Sequence, residues 1–258
     1  MPVLHHDFPE TPTLNGFQPG NALETTKVIE RAVGMVKNNE IGSICTNPIN
    51  KKVLKDGCNF KYPGHTEFLA KLANLDKSVM MLVCDKLRVV PVTIHVALND
   101  VSKFLTEKLI IETVRTTNQS LIDDFGIINP RIAISGLNPH AGENGTFGDE
   151  EIDIIQPAVQ ILKNEGLNII GPLSADTMFH SAARKQYDVA ICMYHDQALI
   201  PIKTIDFYGG VNMTLGLPFI RTSPDHGTAF ELAGTRKANP MSLINALELA
   251  HNTANERL

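Results

Sequence analysis

The stretch Val189-Ala-Ile-Cys-Met-Tyr-His195 places a histidine directly after a run of mostly apolar residues. Short apolar runs of this kind are typical of strands buried inside a sheet. Two other stretches repeat the arrangement. Val89-Val-Pro-Val-Thr-Ile-His95 also ends in a histidine, and Arg131-Ile-Ala-Ile-Ser135 is followed by His140 after a short loop. Since ligand sites in α/β sheets lie beyond the carboxyl ends of the strands, these histidines are candidates for one functional site.

Patterns typical of strands and of helices alternate along the rest of the chain. Strand patterns cover 41–46, 79–84, 89–95, 131–135, 169–171 and 189–194. Helical patterns, in which apolar residues recur every three or four positions, cover 21–38, 65–75, 100–125, 150–164, 175–185 and 240–252. The segment 203–222 is irregular and rich in glycine. Alternation with short connections predicts an α/β fold with a mainly parallel sheet covered by helices.

The composition excludes several classes of protein. The 258 residues include 23 basic and 28 acidic side chains, and 43% of them are hydrophobic, as in folded globular proteins. Without a basic block, nucleic acid is not expected as the main partner. No run of about 18 apolar residues and no signal-peptide pattern is present, so we expect a cytoplasmic protein that does not enter a membrane. Four widely spaced cysteines, with no Cys-x-x-Cys pair, predict free thiols.

The three histidines suggest a metal site, although a second interpretation stays open. Neutral imidazole is a common ligand for zinc and related metals, and three protein ligands with one open position are typical of a catalytic metal. The sequence Ser135-Gly-Leu-Asn-Pro-His-Ala-Gly-Glu-Asn-Gly145 around His140 is polar and rich in glycine, which allows the backbone to approach a ligand closely. Alternatively, each histidine is a hydrogen-bonded structural residue, since no short ligand spacing is present.

Two further clusters are candidates for binding an anion. Pro63-Gly-His-Thr-Glu-Phe68 begins a predicted helix, where free backbone amides attract anions, although Thr66 in it is equally suited to capping that helix. Lys203 and Arg221 bring positive charge among many uncharged neighbours and suit a phosphate pocket, unless both are solvated surface charges. The phosphate-binding motifs of Rossmann and P-loop proteins are absent from the sequence.

Five motifs together resemble the 4-hydroxythreonine-4-phosphate dehydrogenase family, the NAD-dependent enzymes of vitamin B6 biosynthesis. The resemblance extends from about Thr46 to the C-terminus. The last and longest of the motifs is highly specific. The motifs are PGHTEF at 63–68, SGLNPHAGENG at 135–145, GPLSADTMF at 171–179, YHDQALIPIK at 194–203 and GVNMTLGLPFIRTSPDHGTAFELAG at 210–234.

The resemblance implies roles for individual residues and for the assembly. His95, His140 and His195 match the family's ligands for a divalent metal ion, namely zinc, magnesium or cobalt, and Asp176 matches an acid near the site. His65, Thr66, Lys203, Asn212 and Arg221 match its substrate-binding residues. The implied fold is a three-layer αβα arrangement like that of isocitrate and isopropylmalate dehydrogenases, with residues 1–258 forming one unit of two α/β subdomains. The family is homodimeric, with the active site at the subunit interface and a non-Rossmann site for NAD, or alternatively NADP.

The implied reaction oxidises 4-phosphooxy-L-threonine and decarboxylates the product to 3-amino-2-oxopropyl phosphate, in pyridoxal 5'-phosphate biosynthesis. Two alternatives remain open. One is a related dehydrogenase that acts on D-threonate or D-erythronate 4-phosphate, and the other is an inactive protein that retains only the metal site. Family members normally begin with a further segment carrying a Gly-Asp-Pro-Ala-Gly-Ile-Gly-Pro-Glu-like motif, and this chain starts after the position of that segment.

Overall fold

A computed structural model of the protein describes residues 2–11, 13 and 17–257. Its eight strands form one sheet in the order β1-β8-β7-β2-β3-β6-β4-β5. Short β-branched and apolar runs form these strands, and most of their residues are buried. The strands are β1 Ser43–Cys45, β2 Val79–Cys84, β3 Leu87–Pro91, β4 Ile132–Ser135, β5 Ile169–Leu173, β6 Val189–Cys192, β7 Val211–Leu215 and β8 Ile220–Pro224.

Helices lie on both faces of the sheet, so the three-layer α/β prediction is confirmed. Helices α5 and α6 cover one face with residues such as Ile110 and Leu162, and α8 covers the other with Ala198 and Ile202. The helices are α1 Ala22–Lys37, α2 Lys51–Cys58, α3 His65–Leu72, α4 Val101–Phe104, α5 Glu107–Phe125, α6 Gln156–Asn164, α7 Ala175–Met178, α8 His195–Ile205 and α9 Met241–Glu256. A π-helical turn, Glu151–Ile155, leads directly into α6.

The sheet is mostly parallel, with antiparallel pairing at its centre. Parallel pairs join β1 to β8, β3 to β6, β6 to β4 and β4 to β5, whereas β7 pairs antiparallel with β2 and β8, and β2 pairs antiparallel with β3. Strands β3, β6 and β4 are therefore parallel neighbours. Their carboxyl ends reach the same edge of the sheet, which is where the sequence places His95, His195 and His140.

Helix α2 was not predicted from the sequence, and the strand predicted over 89–95 ends at Pro91. Three further segments differ from the prediction. The helix predicted over 100–125 is broken before Glu107, because Thr106 adopts an extended conformation and its hydroxyl accepts a hydrogen bond from Leu109 N at 3.1 Å. The helix predicted over 175–185 is reduced to α7 and a short 3₁₀ turn, Ala183–Gln186. The segment 203–222 contains two strands, β7 and most of β8. The polar residues Asn212 and Arg221 lie within these strands, so neither strand stands out in the sequence as a continuous apolar run.

None of the helices in the described part of the chain combines the length and the apolar character needed to cross a bilayer.

Candidate active site

His95 and His195 face each other at the edge of the sheet. Their ring centroids are 6.2 Å apart, and both line a cavity of about 410 Å³. Thr93 holds the two segments together, since its hydroxyl donates to Met193 O at 2.7 Å and its backbone N donates to the same oxygen at 3.2 Å. Asp196 Oδ1 lies 2.7 Å from His195 Nδ1, which orients that ring and leaves Nε2 for a ligand.

His140 lies in an unusual loop after β4, residues 136–148, here called the His140 loop. Six consecutive residues, 140–145, have positive φ angles between 41° and 88°. The left-handed conformation costs about 1–2 kcal/mol for a residue with a β-carbon, so His140, Ala141 and Glu143 are strained. Such strain persists only where the surrounding structure maintains it, and it is concentrated at functional sites.

Buried Glu151 makes the contacts that maintain the His140 loop. It is 1% exposed, and its Oε1 accepts hydrogen bonds from Leu137 N at 2.7 Å and Asn138 N at 2.8 Å. Its Oε2 accepts from Asn138 Nδ2 at 3.0 Å. A β-carbon added at Gly142 would lie 2.6 Å from Oε2, so the loop backbone packs tightly against this carboxylate.

The histidine pair fits a divalent metal ion in part. With metal–nitrogen bonds of about 2.0–2.1 Å and tetrahedral angles, two imidazoles on one ion have ring centroids roughly 5 Å apart, so the 6.2 Å between His95 and His195 is somewhat longer than a shared ion requires. Among residues 2–11, 13 and 17–257 of one chain, however, no group of three His, Cys, Asp or Glu side chains is gathered that could hold a metal. The convergence of His140 with the other two histidines stays a prediction.

A second polar centre surrounds Arg221, which is only 3% exposed. Its Nε and Nη2 donate to Thr46 Oγ1 at 3.2 and 2.8 Å, and its Nη1 donates to Thr214 Oγ1 at 2.9 Å. Burial lowers the pKa of Arg221 to about 10, so the group is charged at neutral pH. Within the described residues no carboxylate forms an ion pair with it. A buried guanidinium whose neighbours are neutral is suited to receive an anion.

His65, the first residue of α3, adds to this centre. Burial, together with the positive charge of Arg221, lowers the pKa of His65 to about 3, so its ring is neutral at physiological pH. Its Nε2 is buried and has no hydrogen-bond partner among the residues that the structure describes. A polar atom without a partner in the described chain, beside a buried guanidinium, is a candidate contact for a bound ligand. In the sequence, only the family resemblance links His65 to Arg221.

The other predicted site residues have different surroundings. Lys203 forms an ion pair with Asp225, at 2.6 Å from Nζ to Oδ2, so part of its charge is already compensated. Asn212 on β7 has a buried Oδ1 without a partner in the described chain, which makes it a further orphaned polar atom. Thr66 is half-buried in the first turn of α3, and Asp176 is exposed in the first turn of α7.

Three functional contacts were missed from the sequence alone. Thr46 and Thr214 bind the Arg221 guanidinium, and Gln197 connects the ends of β4 and β6. Gln197 Oε1 accepts from Ser135 Oγ at 2.8 Å and from Met193 N at 2.7 Å. Gln197 lies in the motif next to His195, which was the available signal, whereas nothing local distinguishes the two threonines.

A cavity of about 510 Å³ lies beyond the carboxyl ends of β1 and β8. Asn47, Pro48 and Asn50 line it on the β1 side, and His226 and Thr228 on the β8 side. This position, outside the carboxyl ends of two parallel strands, is where open α/β sheets bind their ligands, and the volume is within the range of small-molecule sites.

Comparison with known proteins identifies the family. Residues 3–250 match the family model of PdxA, the pyridoxal phosphate biosynthetic protein. The chain is 53% identical to 4-hydroxythreonine-4-phosphate dehydrogenase of Paracoccus denitrificans, over all of this chain and 81% of that protein. It is 60% identical to the enzyme of the same name from Bradyrhizobium diazoefficiens, over 88% of this chain and 66% of the relative.

A solved structure agrees with these matches. The crystal structure of 4-hydroxythreonine-4-phosphate dehydrogenase from Klebsiella pneumoniae superposes with a TM-score of 0.86 at 41% identity, and the match covers 93% of this chain and 73% of that one. The chain is therefore a dehydrogenase that belongs to the PdxA family of pyridoxal phosphate biosynthetic proteins.

Proposed function

We propose that this chain is a 4-hydroxythreonine-4-phosphate dehydrogenase, which oxidises 4-phosphooxy-L-threonine with NAD and a divalent metal ion. Loss of carbon dioxide from the product then gives 3-amino-2-oxopropyl phosphate. The single observation that carries this proposal is the buried, uncompensated guanidinium of Arg221 beside the neutral ring of His65. The names of the relatives from Paracoccus denitrificans and Bradyrhizobium diazoefficiens support the choice of substrate.

Arg221 and His65 bind an anionic group of the substrate in this proposal. A guanidinium has five N–H groups, and three of those of Arg221 donate to Thr46 and Thr214. The remaining N–H groups are available to phosphate or carboxylate oxygens, and charge-assisted bonds of this kind are strong in a buried site. Neutral His65 contributes one ring nitrogen without adding a second positive charge, and Thr66 contributes a hydroxyl from the same helix.

Redox chemistry takes place at the other polar centre. His95, His140 and His195 would hold the divalent ion. When bound, NAD accepts a hydride and the ion stabilises negative charge on the substrate oxygen. The hydride leaves from carbon 3 while the hydroxyl proton passes to water. The bond between carbon 2 and the carboxylate then breaks with release of carbon dioxide, and the electron pair left on carbon 2 takes up a proton from water. Asn212 and Lys203 would orient the substrate.

A homodimer with its active site between the subunits is part of the proposal. Large apolar side chains are exposed near the histidine pair, among them Leu98 at 72%, Ile200 at 63% and Phe207 at 67%. Leu98 and Ile200 line the same cavity as His95 and His195. Exposed apolar patches of this kind favour burial against another protein surface. A second copy placed here would cover the patch and bring its own side chains to the site.

Steady-state formation of NADH tests the proposed function. The purified protein with added Mg²⁺, Zn²⁺ or Co²⁺ is supplied with 4-phosphooxy-L-threonine, and in parallel with D-threonate and D-erythronate 4-phosphates. We expect the highest kcat/KM with 4-phosphooxy-L-threonine and one carbon dioxide released per NADH. A higher kcat/KM with either sugar acid phosphate would contradict the substrate assignment, because the amine is the distinguishing group. No NADH at saturating substrate, with the metal bound, would contradict the enzymatic function itself.

A further inference from the structure

We propose that Glu151 is a positioning residue: its buried carboxylate holds the His140 loop so that the His140 imidazole is presented to the metal site. The inference rests on the proposed function, in which His140 is a metal ligand. Nothing in the pattern of the sequence indicates such a role, since Glu151 lies eleven positions after His140 in a segment that reads as an ordinary amphipathic helix.

The burial of Glu151 is the first reason. Carboxylates are almost never fully buried unless they are paired, because desolvating the charge is costly. Glu151 is 1% exposed, and within the described residues no Lys, Arg or His forms an ion pair with it. Its charge is satisfied by N–H groups instead, and all three of these belong to Leu137 and Asn138 of the His140 loop. The Glu151 carboxylate therefore makes its hydrogen bonds with this loop.

The conformation of the loop is the second reason. Residues 140–145 follow a left-handed path that amino acids with a β-carbon do not adopt without support. The Glu151 side chain occupies the space inside this path, because added β-carbons at Gly136 and Gly142 would lie 2.8 and 2.6 Å from its two oxygens. Glu151 thus acts on both sides of His140, at the entrance to the loop and at its innermost turn.

The chemistry of the contacts requires a carboxylate at this position. Each oxygen of an ionised carboxylate accepts hydrogen bonds only, and here both oxygens face donors. In a Glu151→Gln variant the shape is preserved, but one oxygen is replaced by an NH₂ group that faces either a backbone N–H or the Asn138 amide donor. That donor-to-donor contact would release one end of the loop and allow the strained residues to relax.

The test compares Glu151→Gln with Asp153→Asn in the full chain. Asp153 is exposed two positions further along the same π-helical turn, so its substitution removes a negative charge of the same segment without touching the loop. Co²⁺ affinity is measured by titration calorimetry well below the unfolding temperature, and amide hydrogen exchange of the loop is measured without metal. For Glu151→Gln we expect Co²⁺ binding weakened by roughly tenfold or more and faster exchange over 137–147, whereas Asp153→Asn stays within twofold of the unsubstituted protein.

Each other outcome has a distinct meaning, which a His140→Ala variant separates. If His140→Ala loses Co²⁺ affinity but Glu151→Gln binds Co²⁺ within twofold of the unsubstituted protein, the positioning role is wrong while the proposed function stands. If His140→Ala itself binds Co²⁺ normally, the ligand assignment in the proposed function is wrong and the positioning role fails with it. If Glu151→Gln does not fold, Asn138→Ala decides, since it removes the bond to Glu151 Oε2, together with a bond to Glu150 Oε2, and keeps the two backbone bonds to Glu151. Unchanged exchange and affinity in that variant would overturn the proposal.

Discussion

Arg221 Nη2 donates to the hydroxyl of Thr46 at 2.8 Å, a bond between two residues that are 175 positions apart in the chain. The bond follows from the parallel pairing of β8 with β1, in which Arg221 lies beside Ile44 and Thr46 directly follows the end of β1. A hydroxyl orients the guanidinium without neutralising it. The Arg221 guanidinium is therefore buried and held in one orientation, and its positive charge is available to an anion from outside the chain.

The planar shape of the Arg221 guanidinium should be needed for substrate binding, in addition to its charge. Arg221→Lys keeps the positive charge but replaces the planar fork, which also binds Thr46 and Thr214, with a single ammonium group. We expect KM for the phosphorylated substrate to rise roughly tenfold or more, which corresponds to about 1.4 kcal/mol, and kcat to fall because the bound anion also positions the reacting carbon. Steady-state kinetics measures both constants.

Arg115→Lys is the matched control, since Arg115 is an exposed arginine paired with Glu165 on the surface. It should leave KM and kcat within twofold of the unsubstituted enzyme. If Arg221→Met, which removes the charge altogether, had unchanged KM and kcat, Arg221 would not be the anion anchor.

Loss of either facing histidine should abolish most metal binding. His95→Ala or His195→Ala removes one imidazole of the pair, and a site with three ligands retains little affinity with two. We expect Zn²⁺ affinity, measured by competition with a chelating dye, to fall by at least roughly tenfold. His251→Ala, a change at an exposed histidine of α9, serves as the control and should have no effect. Unchanged Zn²⁺ affinity in both site variants would rule out the metal site.

The partly buried ring of His65 should make stability dependent on pH. Its pKa is lowered in the folded protein from 6.5 to about 3, whereas the unfolded chain takes up the proton near 6.5. The contribution is fully present above pH 6.5 and is lost progressively as the pH falls toward 3. Between pH 7.5 and pH 5 the free energy of unfolding should decrease by up to about 2 kcal/mol more than in a His65→Asn variant.

Urea denaturation at the two pH values measures this difference, with His251→Asn as the control for an exposed histidine. Equal losses of stability in the unsubstituted protein and in His65→Asn would show that the His65 ring is solvated rather than desolvated by α3 and Arg221.

Replacement of Gln197 should lower the free energy of unfolding, because this side chain connects the ends of β4 and β6. Gln197→Leu leaves the Ser135 hydroxyl, Met193 N and Gly136 O, all bonded to this side chain, without their partner. An unsatisfied buried polar group costs about 1–3 kcal/mol, so we expect the free energy of unfolding to fall by about 3 kcal/mol or more. Gln160→Leu, at an exposed position of α6, should change it by less than about 0.5 kcal/mol. Denaturant titration measures the free energy of unfolding of the two variants. Equal values would contradict the contribution of the Gln197 hydrogen bonds to stability.

The exposed apolar surface near the histidine pair should form the dimer interface. We expect light scattering to give the mass of a dimer at micromolar concentration, and Ile200→Glu with Phe207→Glu to shift it to a monomer, because a charge on each apolar contact opposes burial. Ile128→Glu places the same charge on a more exposed apolar side chain elsewhere and should leave the dimer intact. A monomeric unsubstituted protein would contradict the proposal.

The local pattern of residues was enough to predict the elements that carry the histidines. Strands β4 and β6 are short apolar runs, and their burial within a sheet between helices follows from that composition. Because parallel strands end at the same edge, the positions of His95 and His195 after two predicted strands indicated that both lie at one edge of the sheet. That β3 and β6 are adjacent, which brings the two rings to 6.2 Å, is shown only by the structure. The approximate extent of α1, α3, α6 and α9 was predicted for the same reason, since amphipathic periodicity is local.

Long-range contacts determined the rest. Strands β7 and β8 are buried although they contain Asn212 and Arg221, because residues far away in the chain satisfy or surround those polar groups, as Thr46 does for Arg221. The left-handed path at His140 likewise depends on Glu151, which a helical pattern does not distinguish from a surface acid. Periodicity records which residues are apolar, whereas the burial of a charge depends on partners that only the folded chain brings within hydrogen-bonding distance.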